Sequence, residues 1–338
     1  MKKVFIFSGK GGVGKTTISS ATAVKLSQDL QEKTLLISFD IAHNLSDIFN
    51  KKIGDKITPV SDYLDVIEPD PEHYIKEYSE PIFKLMKKTI YDLAIPNMVP
   101  SLKILIESML QSSNLPKQAK VSAFFQLFFN AAKSKEYSFI ISDFPPTGGT
   151  INLLEVPKFF VQELMTNFLS YRAPIVLAYE GVRRALNPTK MLSLSSPLSQ
   201  LLDYLKKLKK RGDIVNKIIE KYLTLRLVSI PEWAAIQETI RAVDMFAVYH
   251  EVDAVYINKI IGESVIKDNE FLRKMRENQL LRIKDLKHRL PTYYWTLEQE
   301  ANEPLDFENL YILANKLYKN NTIEEIINPP KIKNEDTI

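Results

Sequence analysis

The chain has no cysteine. Disulfides, thiol nucleophiles, CxxC zinc sites and thiolate capture of arsenic or copper are therefore excluded. Glycine is scarce, ten residues in 338, fewer than half of the usual ~7%. No uncharged apolar run reaches the ~18 residues of a membrane span. Neither charge sign dominates: 45 basic against 41 acidic groups leave a formal net charge of +4. That balance gives no argument for nucleic acid, and no nucleic-acid partner is expected. The N-terminus enters an apolar run at Val4 to Phe7 without a secretory h-region, so a cytoplasmic location is expected.

What remains is an ordinary globular composition, 45% hydrophobic and 25% charged, which excludes disorder, collagen and coiled-coil rods. The length suits about two domains, or one large domain carrying an insertion. Six of the ten glycines fall in two short stretches, Gly9, Gly11, Gly12 and Gly14, then Gly148 and Gly149. A chain that avoids glycine but clusters it needs backbone freedom at those places.

Residues 3–8 read as a short buried strand, and helix-competent sequence runs from Ile18 to about Leu30. Between them lies Gly9-Lys10-Gly11-Gly12-Val13-Gly14-Lys15-Thr16-Thr17, the G-x-x-x-x-G-K-T spacing in its confirming context of strand, loop and helix. Backbone N–H groups from Gly11 to Thr17 (Gly11, Gly12, Val13, Gly14, Lys15, Thr16, Thr17) face a polyphosphate, aided by the helix dipole. Lys15 is placed to reach the β- and γ-phosphates and Thr16 to bind Mg2+.

A second apolar strand, 34–39, ends at Asp40, followed by Ile41-Ala42-His43-Asn44-Leu45-Ser46-Asp47. A carboxylate at the carboxyl end of a parallel strand sits where α/β sheets bind ligands. Asp40 there orients the attacking water or caps the next helix. A third apolar strand, 137–143, ends in Asp143, the Walker-B signal, followed by Phe144-Pro145-Pro146-Thr147-Gly148-Gly149-Thr150. That loop reads as a switch element able to respond to a γ-phosphate.

Together KGGVGKTT, D-x-AHNLSD and D-x-x-PTG-x-T resemble the ArsA family of deviant P-loop ATPases. The resemblance covers residues 1–50 and 136–157 well. It implies ATP and Mg2+ as ligands. It gives Lys10 a role across a dimer interface, on the partner's nucleotide, and Asp40 the activation of the attacking water. It puts Asn44 in switch I, Pro146 and Thr147 in switch II, and Asp143 on the Mg2+ shell through water. Asn258, ending the strand Asp253 to Asn258, resembles the residue that recognises adenine; a strand-end turn is the alternative. Two positions depart from the family: Ile41 stands for the usual Pro, and Gly149 for the usual His. The cysteine-borne zinc staple of the eukaryotic-type members is missing. No zinc is expected, and a homodimer must rely on packing and nucleotide.

The resemblance implies an α/β P-loop NTPase fold, a doubly wound, mostly parallel sheet with an inserted helical subdomain. Later strands are expected at 174–179, 223–229 and 253–258, alternating with helices at 233–249, 271–286 and 307–318. The expected organisation is a nucleotide-binding domain at 1–60, helical insertion at 61–135, and nucleotide-binding domain at 136–157. A mixed, second insertion follows at 158–222, then nucleotide-binding domain at 223–318 and a frayed polar tail at 319–338. Helical stripes are expected at 101–112 and 121–132, and helical blocks at about 158–168 and 199–222. Met86, Met98, Met109, Met165 and Met191 fall in the insertions, where methionine suits either core or adaptable apolar binding. The basic run 206–211 reads as a solvated face, or as a dock for an acidic membrane receptor or an anionic lipid surface.

Two activities in the resembled family set the functional expectation. The first is an ATP-driven targeting factor that shields the hydrophobic helix of tail-anchored membrane proteins and releases it on hydrolysis. The second is an arsenite-pump ATPase, here without a cysteine metalloid site. A ParA- or MinD-like positioning ATPase is the reading from outside the family.

Overall fold

β1 (Lys3–Ser8) is fully apolar from Val4 to Phe7 and lies in the middle of the sheet. Only a strand covered on both faces tolerates such an unbroken run. The structure is a computed structural model and describes residues 3–40, 45–74, 76–77, 84–85, 115–151, 154 and 197–331. The chain divides into two compact units.

The first unit comprises Met1–Pro69, Ala131–Ile151 and Ile219–Ile338. Its strands after β1 are β2 (Thr34–Ser38), β3 (Thr58–Pro59), β4 (Leu64–Ile67), β5 (Phe139–Asp143), β6 (Leu223–Ser229), β7 (Val252–Ile260) and β8 (Tyr293–Glu298). They form one sheet in the order β3-β4-β2-β5-β1-β6-β7-β8, parallel except for the β3–β4 pair. β1 thus lies beside β5, and β5 beside β2. The register pairs Phe7 and Ser38 with Asp143, so three strands end together at one edge. In a parallel sheet that carboxyl edge is where ligands bind.

α1 (Lys15–Leu30) follows β1 and is buried along most of its length. Its interior hydroxyls are absorbed by its own carbonyls: Thr22 donates to Ile18 O at 2.7 Å and Ser27 to Val24 O at 2.9 Å. α1 shares a core with α8 (Asp306–Leu317) and the sheet, through Phe5, Phe7, Tyr256, Trp295, Leu310 and Tyr318. Tyr256 and Trp295 stack with centroids 4.8 Å apart, and the Tyr318 hydroxyl lies 2.7 Å from Thr22 Oγ1. Buried aromatics of this kind contribute beyond their area when their hydroxyls are satisfied.

The second unit comprises Asp70–Asn130 and Asn152–Ile218. Its described parts are helical and include α3 (Pro71–Tyr74). α4 (Leu115–Lys133) buries Phe124, Phe125, Phe128 and Phe129, the stripe expected at 121–132. α5 (Pro197–Tyr222) buries Val215 and Ile218. Arg211 donates to Gln126 and covers the Phe129 ring at 5.7 Å. The Phe124–Phe129 face is therefore core here. The expected strand 174–179, the helices at 101–112 and 158–168, and the five insertion methionines lie outside the described residues.

The structure corrects the sequence reading at two places. β4 and β8, both sheet strands, were not expected. The chain near 319–338 is not uniformly frayed: α9 (Ile323–Ile327) closes the described part with Ile326 fully buried and Ile327 6% exposed. Thr322 and Glu325 form a reciprocal capping box there, which starts a five-residue helix that a polarity count does not reveal. α2 (Leu45–Ile48), α6 (Trp233–Phe246) and α7 (Glu270–Arg289) complete the described α-helices of the first unit.

Candidate functional site

The loop after β1 needs its glycines. Gly9 has φ +146°, and a β-carbon there would meet Val228 O at 2.1 Å. Gly14, φ +92°, would put one 2.3 Å from the Asn258 amide nitrogen. Gly14 is the N-cap of α1 and offers no side-chain cap, and the first turn holds no acid. The orphan N–H groups of that turn are left to a ligand, which suits an anion.

A cavity of about 620 Å³ opens at this helix end, lined in part by Gly12, Gly14, Lys15, Thr16, Thr17 and Asp40. Asn258, Lys259 and the segment 297–305 also line it. Lys15 is only 4% exposed; its Nζ donates to Lys10 O at 3.2 Å and lies 4.0 Å from Asp40 Oδ2. The ammonium is thus held inside the loop, at the strand-end carboxylate, before any phosphate arrives.

Behind it, Thr16 Oγ1 donates to Asp143 Oδ2 at 2.6 Å. Ser38 Oγ stands 3.5 Å from the same oxygen. Asp143 Oδ1 is buried without a partner. Burial pushes the Asp143 carboxyl up to about 7, and the Asp40 charge adds to this. The Thr16 and Ser38 hydrogen bonds and the Lys15 ammonium pull the other way. A donating Thr16 hydroxyl keeps its oxygen lone pairs for a cation, and the orphaned carboxylate oxygen suits a metal-bound water. These residues fit Mg2+, which takes one or two protein oxygens together with phosphates and water. Among the described residues no cluster of three or more His, Cys, Asp or Glu could hold a metal, and Mg2+ bound in this way needs none.

Thr147 is buried and stands 3.4 Å from Glu238 through its hydroxyl, while Pro146 is exposed. Thr150 Oγ1 donates to Pro145 O and lies 2.8 Å from Ser8 Oγ, tying the loop after β5 to the end of β1. Lys10, Gly11, Val13, Asp143, Pro146 and Thr147 do not line the cavity. The Val13 side chain is core. Asn44 lies outside the described residues.

Asn258 does line the cavity, with its amide already engaged: Nδ2 donates to Val13 O at 2.9 Å and Oδ1 accepts from Lys259 N at 2.9 Å. Sequence reasoning passed over Lys259, whose Nζ donates to Gly12 O at 2.9 Å from a backbone at φ +59°. Adjacent residues of β7 thus hold two successive P-loop carbonyls. The segment 298–305 was also missed; the signal was a polar, proline-bearing stretch directly after an alternating apolar run at 293–297.

A sheet edge with this phosphate loop, a buried lysine and a strand-end Thr–Asp pair defines a P-loop nucleotide hydrolase. The pattern of the ArsA family, anion-transporting ATPases, matches residues 2–319, and the chain belongs to that family; it is an ATPase. It is 33% identical over 314 residues to a protein of Aquifex aeolicus provisionally named arsenical pump-driving ATPase 2, covering 91% of this chain and 96% of that one. It is 29% identical over 275 residues to ATPase GET3 of Mycosarcoma maydis, covering 77% and 73%. It is 28% identical over 300 residues to an ATPase ASNA1 homolog of Dictyostelium discoideum, covering 85% and 80%. No helix among the described residues is long and apolar enough to cross a membrane.

Proposed function

We propose that this ATPase is a homodimeric, cytoplasmic targeting factor. It shields the hydrophobic helix of tail-anchored membrane proteins while ATP is bound and releases it on hydrolysis, with a membrane receptor as a further partner. The observation that carries the reading is the second unit, whose described parts are helical. Its first chain segment begins at Asp70, just after β4, and its second at Asn152, shortly after the Asp143 loop. The second segment is well placed in the chain to respond to a γ-phosphate, and both are far longer than a plain crossover needs. Relatives named ATPase GET3 and ATPase ASNA1 homolog span most of the chain and support the same reading.

In this reading Lys15 and the N–H groups from Gly11 to Thr17 hold the β- and γ-phosphates. Thr16 and Asp143 hold Mg2+, Asp143 through water. When bound, the metal supplies charge neutralisation on the phosphate oxygens. Asp40 accepts a hydrogen bond from water and aims it at the γ-phosphorus. The new P–O bond forms as the bond to the bridging oxygen breaks, and ADP leaves. Lys10 acts on the partner protomer's nucleotide. Asn44, Pro146 and Thr147 sense the γ-phosphate, and Asn258 lies on the adenine side. Catalysis here is positioning and charge stabilisation rather than covalent chemistry.

The test is capture. Asp40→Asn, loaded with Mg·ATP and co-expressed with a protein ending in an apolar helix of about 20 residues, is expected to yield a soluble complex. The same client without the helix is not retained. Absence of helix-dependent capture, with ATP binding intact, removes the targeting assignment. The name of the Aquifex relative favours a second reading, a pump-driving subunit. Without cysteine, that reading requires stimulation by an oxyanion or a membrane partner rather than by thiolate-bound metalloid.

A further inference from the structure

β7 does not run regularly to its end. Ile257 pairs with Thr296 of β8 and Ile260 with Glu298, so Asn258 and Lys259 together stand opposite Leu297 alone. That is a β-bulge, with one strand carrying an extra residue. Lys259 sits in it at φ +59°, in the left-handed region that lysine rarely adopts. Side chains of adjacent strand residues normally leave on opposite faces. The bulge overrides that alternation and aims both at the phosphate loop. Asn258 Nδ2 donates to Val13 O and Lys259 Nζ to Gly12 O, each at 2.9 Å. α7 braces the bulge: Gln279 Nε2 lies 3.4 Å from Lys259 O, and Gln279 Oε1 accepts from Ile261 N at 2.9 Å.

The consequence falls on the loop. Across a trans peptide the carbonyl and the following N–H point in opposite directions. With the Gly12 and Val13 carbonyls tied to β7, the N–H groups of Val13 and Gly14 are turned away from that strand. Lys10 O accepts from Lys15 in the same way, which orients the Gly11 N–H. Asn258 and Lys15 are buried, whereas Lys259 is exposed. An exposed lysine adds nothing to the core, so the left-handed backbone that places it serves the loop.

We propose that Lys259 is a positioning residue for nucleotide binding. It holds the Gly12 carbonyl so that the phosphate loop is set for an anion before the nucleotide enters. The proposal rests on the reading of that loop as the phosphate site. A loop ordered in advance spends less of the binding energy on its own ordering. Lysine suits the task, because its ammonium is a compact charge on a flexible stem and its hydrogen bond to a carbonyl is charge-assisted. Lys259 acts on a loop carbonyl that every nucleotide meets alike. It therefore supports affinity for di- and triphosphates equally, with no share in the chemical step and none in reading the base.

The test sets equilibrium binding of Mg·ADP and of a non-hydrolysable Mg·ATP analogue beside kcat. Lys259→Met keeps the stem and removes the donor. It is expected to weaken both ligands about tenfold, the effect of one charge-assisted hydrogen bond. Its kcat is expected to stay within about twofold. Lys259→Arg keeps a charged donor and is expected to stay within about threefold of the wild type in affinity. Lys259→Gly accepts φ +59° without strain. Its affinity is expected to fall as in Lys259→Met while the ligand-free melting midpoint does not fall, a split that a merely structural lysine would not give. The loss is expected to be equal at ~0.1 M and ~0.5 M salt, because the contact is local. Unchanged affinity in Lys259→Met overturns the proposal. So does a fall in kcat without loss of affinity, a loss confined to the ATP analogue, a loss that vanishes at high salt, or a changed preference between ATP and GTP. Lys15→Ala separates this proposal from the reading beneath it. Binding lost in Lys15→Ala but intact in Lys259→Met refutes the role of Lys259 alone. Binding intact in Lys15→Ala removes the phosphate-loop reading and this proposal with it.

Discussion

Thr16 Oγ1 donates to one oxygen of Asp143 at 2.6 Å, while the other oxygen is buried without a partner. Burial holds the carboxyl at about 7 against an ordinary value of 3.8. The folded protein therefore keeps a proton that the unfolded chain gives up near pH 4. From this group, ligand-free stability is present at low pH and is lost as pH rises toward and through about 7. Metal binding demands the ionised form, so Mg·ATP should release protons at about pH 6 and far fewer at about pH 8, with affinity rising between them. Titration calorimetry in buffers of different ionisation enthalpy measures this release. Equal proton release at both pH values would contradict the assignment of Asp143.

Asn258 supports the phosphate loop from the end of β7, two strands over from β1. Asn258→Ala removes the bond to Val13 O, one buried hydrogen bond, and is expected to weaken ATP binding about tenfold. Gly14→Ala drives a β-carbon into the same amide and also strains φ +92°. In that background the Asn258 substitution should cost less, because the clash is relieved; strict additivity would argue against the contact. If Asn258 also recognises adenine, Asn258→Ala narrows the preference for ATP over GTP. A purely supporting role weakens both nucleotides alike.

Arg226 is fully buried between Phe5 and Trp295, 5.4 and 5.1 Å from their rings. Its Nη2 donates to Ile326 O and Ile327 O at the end of α9, which fastens that helix to the sheet. Arg226→Met removes these bonds to a charged donor and is expected to cost about 3 kcal/mol. Chemical denaturation measures the loss, and hydrogen exchange should show residues 323–331 opening first. An unchanged midpoint, or exchange unchanged in that segment, would show that α9 is held by Ile326 and Ile327 alone.

The P-loop was legible because its chemistry is local. Phosphate binding fixes glycine and lysine spacing within nine residues, and the strand before and helix after follow the same logic. Asp40 and Asp143 were legible because each closes an apolar run. Lys259 was not, since its value comes from folding the end of β7 against the P-loop, across almost 250 residues of sequence. β4 was missed because four residues give too short a pattern. α9 was missed because its anchor, Arg226, is a charge that composition alone places at the surface. Asn44, like the insertion methionines, lies outside the described residues.

The targeting account is tested most directly by timing. A preformed complex of the wild-type ATPase with an apolar-helix client and ATP is started with Mg2+ beside acceptor vesicles. Phosphate formation and loss of the soluble client are followed together in a single turnover. Client release at the rate of phosphate formation, and its absence in Asp40→Asn, is the expected result. Release that runs at the same rate in Asp40→Asn, or a client that stays bound after ATP is spent, would contradict it.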